Sequence, residues 1–283
     1  MRTCSYCGKE YSDDISQCLV DGQPLSGGDT AVAIAAAEPP PILGSILSKP
    51  KLGSKLTERQ LRIVELCIVC LVAFGGSILA SFYVLWAPSS YSSSSGNLKW
   101  IYGILRAVFA LILLWYILLR RSKDFSDIGL SWKGKSDFGW SIVISFAGSI
   151  AFNILYLTIY YSGLTTNSRQ EVSSNVGHFL FSGGIVFATI AYQFVNPFLE
   201  ELIVRAYVMT EVQELTNSAT KAILISTILQ TSYHFYQGVP AALSHAGTFL
   251  VFSIYFAKTK RILPVILAHL YADLGETLWY MAR

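Results

Sequence analysis

The ionisable side chains in the second half of the chain fall into three short motifs, each inside an otherwise apolar run. These motifs are Glu200-Glu201-x-x-x-Arg205, Gln230-x-x-x-His234 and His269-x-x-x-Asp273. A charged side chain at the centre of a bilayer-spanning helix costs roughly 2.5–3.5 kcal/mol on insertion scales. Such groups usually face a polar interior, pair with one another and take part in chemistry or transport.

The two adjacent glutamates are expected to have different roles. Neighbouring residues of a helix project about 100° apart, so Glu200 and Glu201 face different directions. Arg205 lies one turn after Glu201 and on its face, which predicts an ion pair that fixes the helix. Glu200 is expected to point elsewhere, without a local partner, and a carboxylate in a low-dielectric cavity can act as a general base. The alternative is a helix end with solvated charges, as we expect for Glu211 and Glu214.

The candidate catalytic residues are Glu200, His234, His269 and Asp273, on three helices that short loops make neighbours. Two histidines and two carboxylates could hold a divalent metal. They could equally activate a water directly and stabilise an oxyanion. No Ser or Cys stands in a recognisable nucleophile setting, so the implied chemistry is attack of water on a carbonyl without a covalent intermediate. The alternatives are a helix–helix hydrogen bond for His234 and a structural polar patch for His269 and Asp273.

Composition predicts an all-α, polytopic transmembrane bundle. The 283 residues are 53% hydrophobic and 14% charged, with a mean hydropathy of +0.47, whereas soluble domains carry about 25% charged residues. The net charge of +3 gives no indication of a nucleic-acid partner. Pro197 predicts a kink in the fourth hydrophobic span. The seven predicted spans are about 63–86, 100–119, 138–161, 179–212, 219–236, 243–258 and 262–281.

The distribution of Lys and Arg predicts the topology. Basic residues cluster before the first span and in the even-numbered connections, whereas the opposite loops hold only Lys99 and Arg169. The positive-inside rule therefore places the N-terminus in the cytoplasm and the Ser89–Ser95 loop outside. The N-terminal residues lack the pattern of a cleavable leader. We expect an integral protein of a bacterial inner membrane.

Residues 1–25 are predicted to form a small zinc-binding head, followed by a flexible linker at 26–60 and the membrane domain at 61–283. Two segments with matching spacing supply Cys4, Cys7, Cys18 and Asp21, a possible tetrahedral ligand set. Metal binding would stabilise a segment too short to fold alone. The head resembles the zinc ribbons of many bacterial membrane proteins. The alternative is a disordered tail with incidental cysteines.

The three motifs, in this order and on membrane helices, resemble the CAAX protease and bacteriocin-processing (CPBP) family of intramembrane endopeptidases. The resemblance covers roughly residues 98–283, and one position departs from it, because Gln230 stands where the family usually has Phe. It implies that Glu200 and His234 activate the attacking water. His269 and Asp273 would line the oxyanion side, and Glu201 and Arg205 would support the site. It leaves open whether the active site uses a metal.

The resemblance implies an endopeptidase that acts on a peptide or a membrane-associated protein beside the lipid bilayer. Because the head suggests a bacterial chain, we expect processing of exported peptides or membrane regulators. The alternatives are a non-catalytic scaffold or bacteriocin self-immunity protein of the same fold, and a proton-coupled transporter. Three further residues are expected to be structural or to lie outside the motifs: Arg106, as an ion pair or a snorkelling group, and His178 and His245.

Overall fold

The computed structural model of the chain describes residues 2–3, 9–12, 14–18, 56–86, 97–164 and 187–282. The chain divides into two compact units, Met1–Ser54 and Lys55–Arg283. All of the described helices belong to the second unit.

The first unit contains a short antiparallel hairpin of β1 (Arg2–Thr3) and β2 (Glu10–Tyr11). Cys18 is buried, packs against Tyr11 and Ile15, and its Sγ lies 3.3 Å from the Tyr11 hydroxyl. Cys4, Cys7 and Asp21 lie outside the described residues, as does the predicted linker as far as residue 55. The zinc site of the head therefore stays a prediction.

The described part of the second unit contains seven long helices, and each corresponds to one predicted hydrophobic span. Their bounds are α1 (Glu58–Trp86), α2 (Asn97–Arg120), α3 (Lys135–Tyr161), α4 (187–216), α5 (Ala219–Ser232), α6 (Val239–Thr259) and α7 (Leu263–Met281). A capping box starts α1, since the Thr57 hydroxyl accepts from the Gln60 amide and the Gln60 side chain accepts from the Thr57 amide.

Four of these helices are long and apolar enough to cross a membrane, namely α1, α3, α6 and residues Lys99–Arg120 of α2. The predicted sixth span was the shortest of the seven, yet its helix α6 is among the four, because it begins at Val239 rather than at residue 243. The helix α5 has 14 residues, about 21 Å, which is short for a 30 Å hydrocarbon layer. The first and third polar motifs lie on α4 and α7, and the second begins with Gln230 on α5 and ends with His234 in the turn that follows.

The helices α3 and α6 pack closely through small residues. A Cβ added to Gly247 would lie 2.8 Å from the carbonyl oxygen of Ala151, so only glycine permits this approach. The Thr248 hydroxyl donates a 3.0 Å hydrogen bond to the carbonyl of Gly148 on the facing helix. Small residues and buried hydroxyl groups are the usual contacts between helices in membranes. In addition, α6 packs along α5, α7 along α3 and α4, and α2 along α4.

The helix α4 changes its winding at the first motif. Residues Phe187–Glu200 are α-helical, Glu201–Met209 form a π-helix, and Thr210–Thr216 return to an α-helix. Every residue of the π-helical segment is buried. The sequence predicts a kink at Pro197, and in the structure the helix continues through Pro197 and widens four residues later. π-helical turns frequently occur at functional sites.

A network of ion pairs joins α1, α2 and α4 at one end of the bundle, which we call the basic end. Glu211 accepts hydrogen bonds from Arg62 at 2.9 Å and from Arg121 at 2.7 Å. Glu65 pairs with Arg121 and, at 3.1 Å, with Arg120. The prediction that Glu211 is solvated is wrong, because the residue is only 3% exposed and lies between two arginines.

Candidate active site

Three neutral donors surround the carboxylate of Glu200. Oε1 accepts a hydrogen bond from Asn196 Nδ2 at 2.9 Å, and Oε2 accepts from Gln230 Nε2 at 2.7 Å and from the Tyr233 hydroxyl at 2.9 Å. The prediction that Glu200 has no local partner is wrong, because Asn196 lies one turn earlier on the same helix face. An ionised carboxylate can only accept hydrogen bonds, so this set of donors suits a charged Glu200.

His234 lies in the turn that follows α5, and its imidazole is oriented by the main chain of the last turn of that helix. Its Nδ1 lies 2.8 Å from the carbonyl oxygen of Gln230. Because a carbonyl only accepts, Nδ1 carries the proton, and in the neutral ring Nε2 is then an acceptor. Gln230 therefore contacts both residues, with its side chain on Glu200 and its carbonyl on His234.

The carboxylate of Glu201 contacts two other motif residues and connects them. Its Oε1 accepts from Arg205 Nη1 at 3.0 Å and lies 2.7 Å from Nδ1 of His269. The pair of Glu201 with Arg205 is the one predicted from their spacing, and both residues are fully buried. The other ring nitrogen of His269, Nε2, lies 3.5 Å from Oδ1 of Asp273. His269 therefore has a carboxylate oxygen beside each nitrogen.

The four candidate catalytic residues line one cavity of about 410 Å³. Glu200, His234, His269 and Asp273 all belong to its wall, whereas Glu201 and Arg205 are buried behind it. The two adjacent glutamates thus face different surroundings, and a substrate in the cavity could contact only the first.

The structure adds residues that the sequence motifs did not identify. Asn196 and Tyr233 bind Glu200 directly, and the Tyr192 hydroxyl donates to Asn196 Oδ1 at 2.8 Å. Spacing of one helical turn could have indicated Asn196 beside Glu200 and Gln230 beside His234. Tyr233 gives no such signal, because it lies in the turn that follows α5 and depends on how that turn folds back.

Two residues outside the three motifs, Arg106 and His245, also line the cavity, whereas His178 lies outside the described residues. The ring of His245 lies 5.9 Å from that of His234, between centroids, and 4.8 Å from Phe152. Arg106, expected to be in an ion pair or to snorkel, donates a hydrogen bond to the hydroxyl of Ser77 on α1. Within the described residues, no three His, Cys, Asp or Glu side chains are arranged to hold a metal ion.

The comparison with protein families gives a match over this part of the chain. The model of the family described as type II CAAX prenyl endopeptidase Rce1-like matches residues 182–275, about a third of the chain. The matched stretch contains all three motifs, from Glu200 to Asp273. No curated protein and no solved structure matches the chain. The chain thus resembles an endopeptidase family in the region that contains the candidate catalytic residues.

Proposed function

We propose that the chain is a membrane-embedded endopeptidase in which Glu200 and His234 activate a water to hydrolyse a peptide bond. The observation that carries this proposal is the link between the two residues through Gln230, with both side chains on the wall of one cavity. The family match over residues 182–275 supports the same activity.

In the proposed reaction, a water in the cavity donates one proton towards Glu200 and another towards Nε2 of His234. Its oxygen attacks the carbonyl carbon of the substrate, and Glu200 takes up the proton released by the attack. When the C–N bond breaks, that proton passes to the leaving amine nitrogen. General base catalysis of this kind typically contributes about 10²–10⁴-fold to the rate.

His269 is placed to stabilise the oxyanion that the attack creates. With Nδ1 held by Glu201, a proton on Nε2 can be shared between Asp273 and the substrate oxygen. The buried pair of Glu201 and Arg205 fixes the position of the ring and does not touch the cavity. Asp273 orients the Nε2–H group of His269 that donates to the oxyanion. Glu201 positions the ring of His269.

The hydrogen bonds of Glu200 favour direct activation of the water over activation by a metal ion. The three donors take three of the four lone-pair positions of the carboxylate, so one position on Oε1 stays free for a proton of the water, and a metal ion could not bind both oxygens. We therefore assign Glu200 as a base rather than as a metal ligand.

The proposal is tested with Glu200→Gln, since the amide keeps the size of the side chain and removes its basicity. The purified variant in lipid vesicles is assayed with a library of internally quenched peptides that carry an apolar anchor. We expect kcat to fall by about 10²–10⁴-fold, with only a modest loss in melting temperature, since the amide NH2 group meets one of the three donors. The matched control is Glu58→Gln, at the exposed first turn of α1. Full activity of Glu200→Gln, or equal losses in both variants, would refute the base assignment and favour a scaffold.

A further inference from the structure

The cavity extends from the catalytic residues towards the end of the bundle opposite the basic end. Its wall includes Lys99 and Trp100 in the first turn of α2, and Tyr236 and Gln237 in the turn after α5. Glu276, two turns beyond His269 on α7, lies on the same side. The cavity therefore reaches from the middle of the helices to these helix ends.

A separate cavity of about 580 Å³ lies at the basic end, with Thr210, Gln213 and Phe256 in its wall, and it shares no wall residue with the first. Between the two cavities, the protein is filled. The π-helical segment Glu201–Met209 is buried along its whole length, and Ile203, Tyr207 and Met209 are fully covered. Beyond it, the ion pairs of Glu211 with Arg62 and Arg121 join three helices. No wall residue of the cavity belongs to this filled region.

We expect Glu200 to lie well inside the hydrocarbon layer. It precedes the end of α4 by sixteen residues, roughly 20 Å along the helix, and the hydrocarbon layer is about 30 Å thick. A substrate must therefore bring its peptide bond deep into the membrane. The side on which the cavity opens determines the side from which the substrate enters.

The orientation of the bundle follows from its basic residues. Those at the basic end are Arg59, Arg62, Arg120, Arg121, Lys123, Lys133, Lys135, Lys221, Lys258, Lys260 and Arg261. The described residues of the opposite end contribute Lys99. Because Lys and Arg concentrate on the cytoplasmic side, the basic end is expected to be cytoplasmic, and the cavity reaches the helix ends on the other side.

We propose that water and substrate reach Glu200 from the extracytoplasmic side of the membrane. The substrates are then apolar segments of polypeptides presented on that side, since the cavity wall carries Trp100, Tyr236 and Phe249. The class of substrate rests on the proposed endopeptidase function, whereas the side of access does not.

Access is measured by thiol labelling, which requires water but no catalysis. Single cysteines are added to the full-length chain as Ala80→Cys and Ala272→Cys, both on the cavity wall. A membrane-impermeant maleimide is applied to right-side-out and to inside-out vesicles, and the labelled positions are read by peptide mass spectrometry. The unsubstituted chain provides the baseline for the native cysteines.

Two controls separate the cavity from lipid and from the cytoplasmic face. Leu79→Cys is the matched control for Ala80, because Leu79 is its neighbour on α1 and is 73% exposed on the lipid side. Asp127→Cys lies in the exposed loop at the basic end. We expect the two cavity cysteines to label at least tenfold faster in right-side-out vesicles, Asp127→Cys only in inside-out vesicles, and Leu79→Cys in neither.

Several outcomes would overturn the proposal. Cavity cysteines that label together with Asp127→Cys would place the opening in the cytoplasm, and labelling by a lipid-soluble maleimide alone would indicate entry from the bilayer. Labelling is repeated with Glu200→Gln, where we expect the same sidedness. An inactive wild-type chain with extracytoplasmic labelling would therefore refute the endopeptidase and leave the access route standing.

Discussion

The side-chain amide of Gln230 donates a 2.7 Å hydrogen bond to Oε2 of Glu200. The carbonyl of the same residue accepts from Nδ1 of His234 at 2.8 Å. The family that the chain resembles usually has Phe at this position. Gln230 adds to the motif, because its amide gives Glu200 a hydrogen-bond donor that a phenyl ring cannot provide. Gln230 sets the direction of both groups that would activate the water.

Replacement of Gln230 by Met tests this arrangement, because Met has a similar length and no donor. A hydrogen bond to a charged group contributes about 1.5–3 kcal/mol. We expect kcat to fall by roughly tenfold, corresponding to about 1.4 kcal/mol in the activation free energy, with little change in KM. The measurement is steady-state kinetics of the purified variant in vesicles.

The control for this variant is Ile228→Met, on the lipid-facing side of the same helix, where Ile228 is 66% exposed. We expect the control to keep its activity. An unaltered kcat for Gln230→Met, at an unaltered melting temperature, would show that Asn196 and Tyr233 hold Glu200 without the amide.

The sequence predicts the elements of this fold better than the contacts between them. The apolar runs identify the seven helices, and one-turn spacing identifies the pair of Glu201 with Arg205. The approach of His269 to Glu201 joins residues 68 positions apart and depends on how α7 packs against α4, which no local pattern encodes. The burial of Glu211 was missed for the same reason, since its arginine partners come from α1 and α2.

Glu201→Gln is expected to reduce stability as well as activity. The carboxylate lies between Arg205 and His269 in a fully buried setting, and its neutralisation leaves the guanidinium without its counter-charge. Breaking a buried ion pair costs roughly 3–5 kcal/mol. We therefore expect a clearly lower melting temperature in detergent, together with a lower kcat because His269 loses its support.

The double variant Glu201→Gln with Arg205→Met separates the two effects. Removing both charges avoids an unpaired buried cation, so the double variant should be more stable than the sum of the single losses predicts. Its activity should stay low, since His269 still lacks its carboxylate. Additive losses of stability would show that the two charges do not interact.

The pairing of Glu214 with Arg62 predicts a dependence of stability on pH. Burial raises the pKa of Glu214, but the hydrogen bond from Arg62 and the charge of Lys123 outweigh it, so the pKa lies below its usual 4.5. A lowered pKa in the folded state contributes stability above the unfolded value, and this contribution is lost as the pH falls through the folded value. Wild type should exceed Glu214→Gln in melting temperature at about pH 7, and the difference should vanish below the folded pKa.

The effect should be small and sensitive to salt, because the Glu214 side chain is 42% exposed. Its source is checked in an Arg62→Gln background, where Glu214→Gln should change the melting temperature much less. A difference between wild type and Glu214→Gln that persists at the lowest pH would assign the effect to packing instead of charge.

Zinc binding by the N-terminal head is the prediction that rests on the sequence alone. We expect the full-length, reduced protein to contain about one zinc per chain, bound by Cys4, Cys7, Cys18 and Asp21. Of this set the structure describes Cys18, which is buried and packs against Tyr11 and Ile15. Metal content is measured by mass spectrometry after removal of excess zinc.

Cys18→Ser should abolish stoichiometric zinc, whereas Asp21→Cys should tighten its binding, because a fourth thiolate replaces the carboxylate. The matched control is Cys67→Ser, in the exposed face of α1 within the membrane domain, which should leave the zinc content unchanged. Deletion of residues 1–54 should remove the zinc and keep the peptidase activity, because the catalytic motifs lie in the second unit. Zinc that remains after the deletion would instead place a metal in the membrane domain, and the assignment of Glu200 as a base acting on free water would then be wrong.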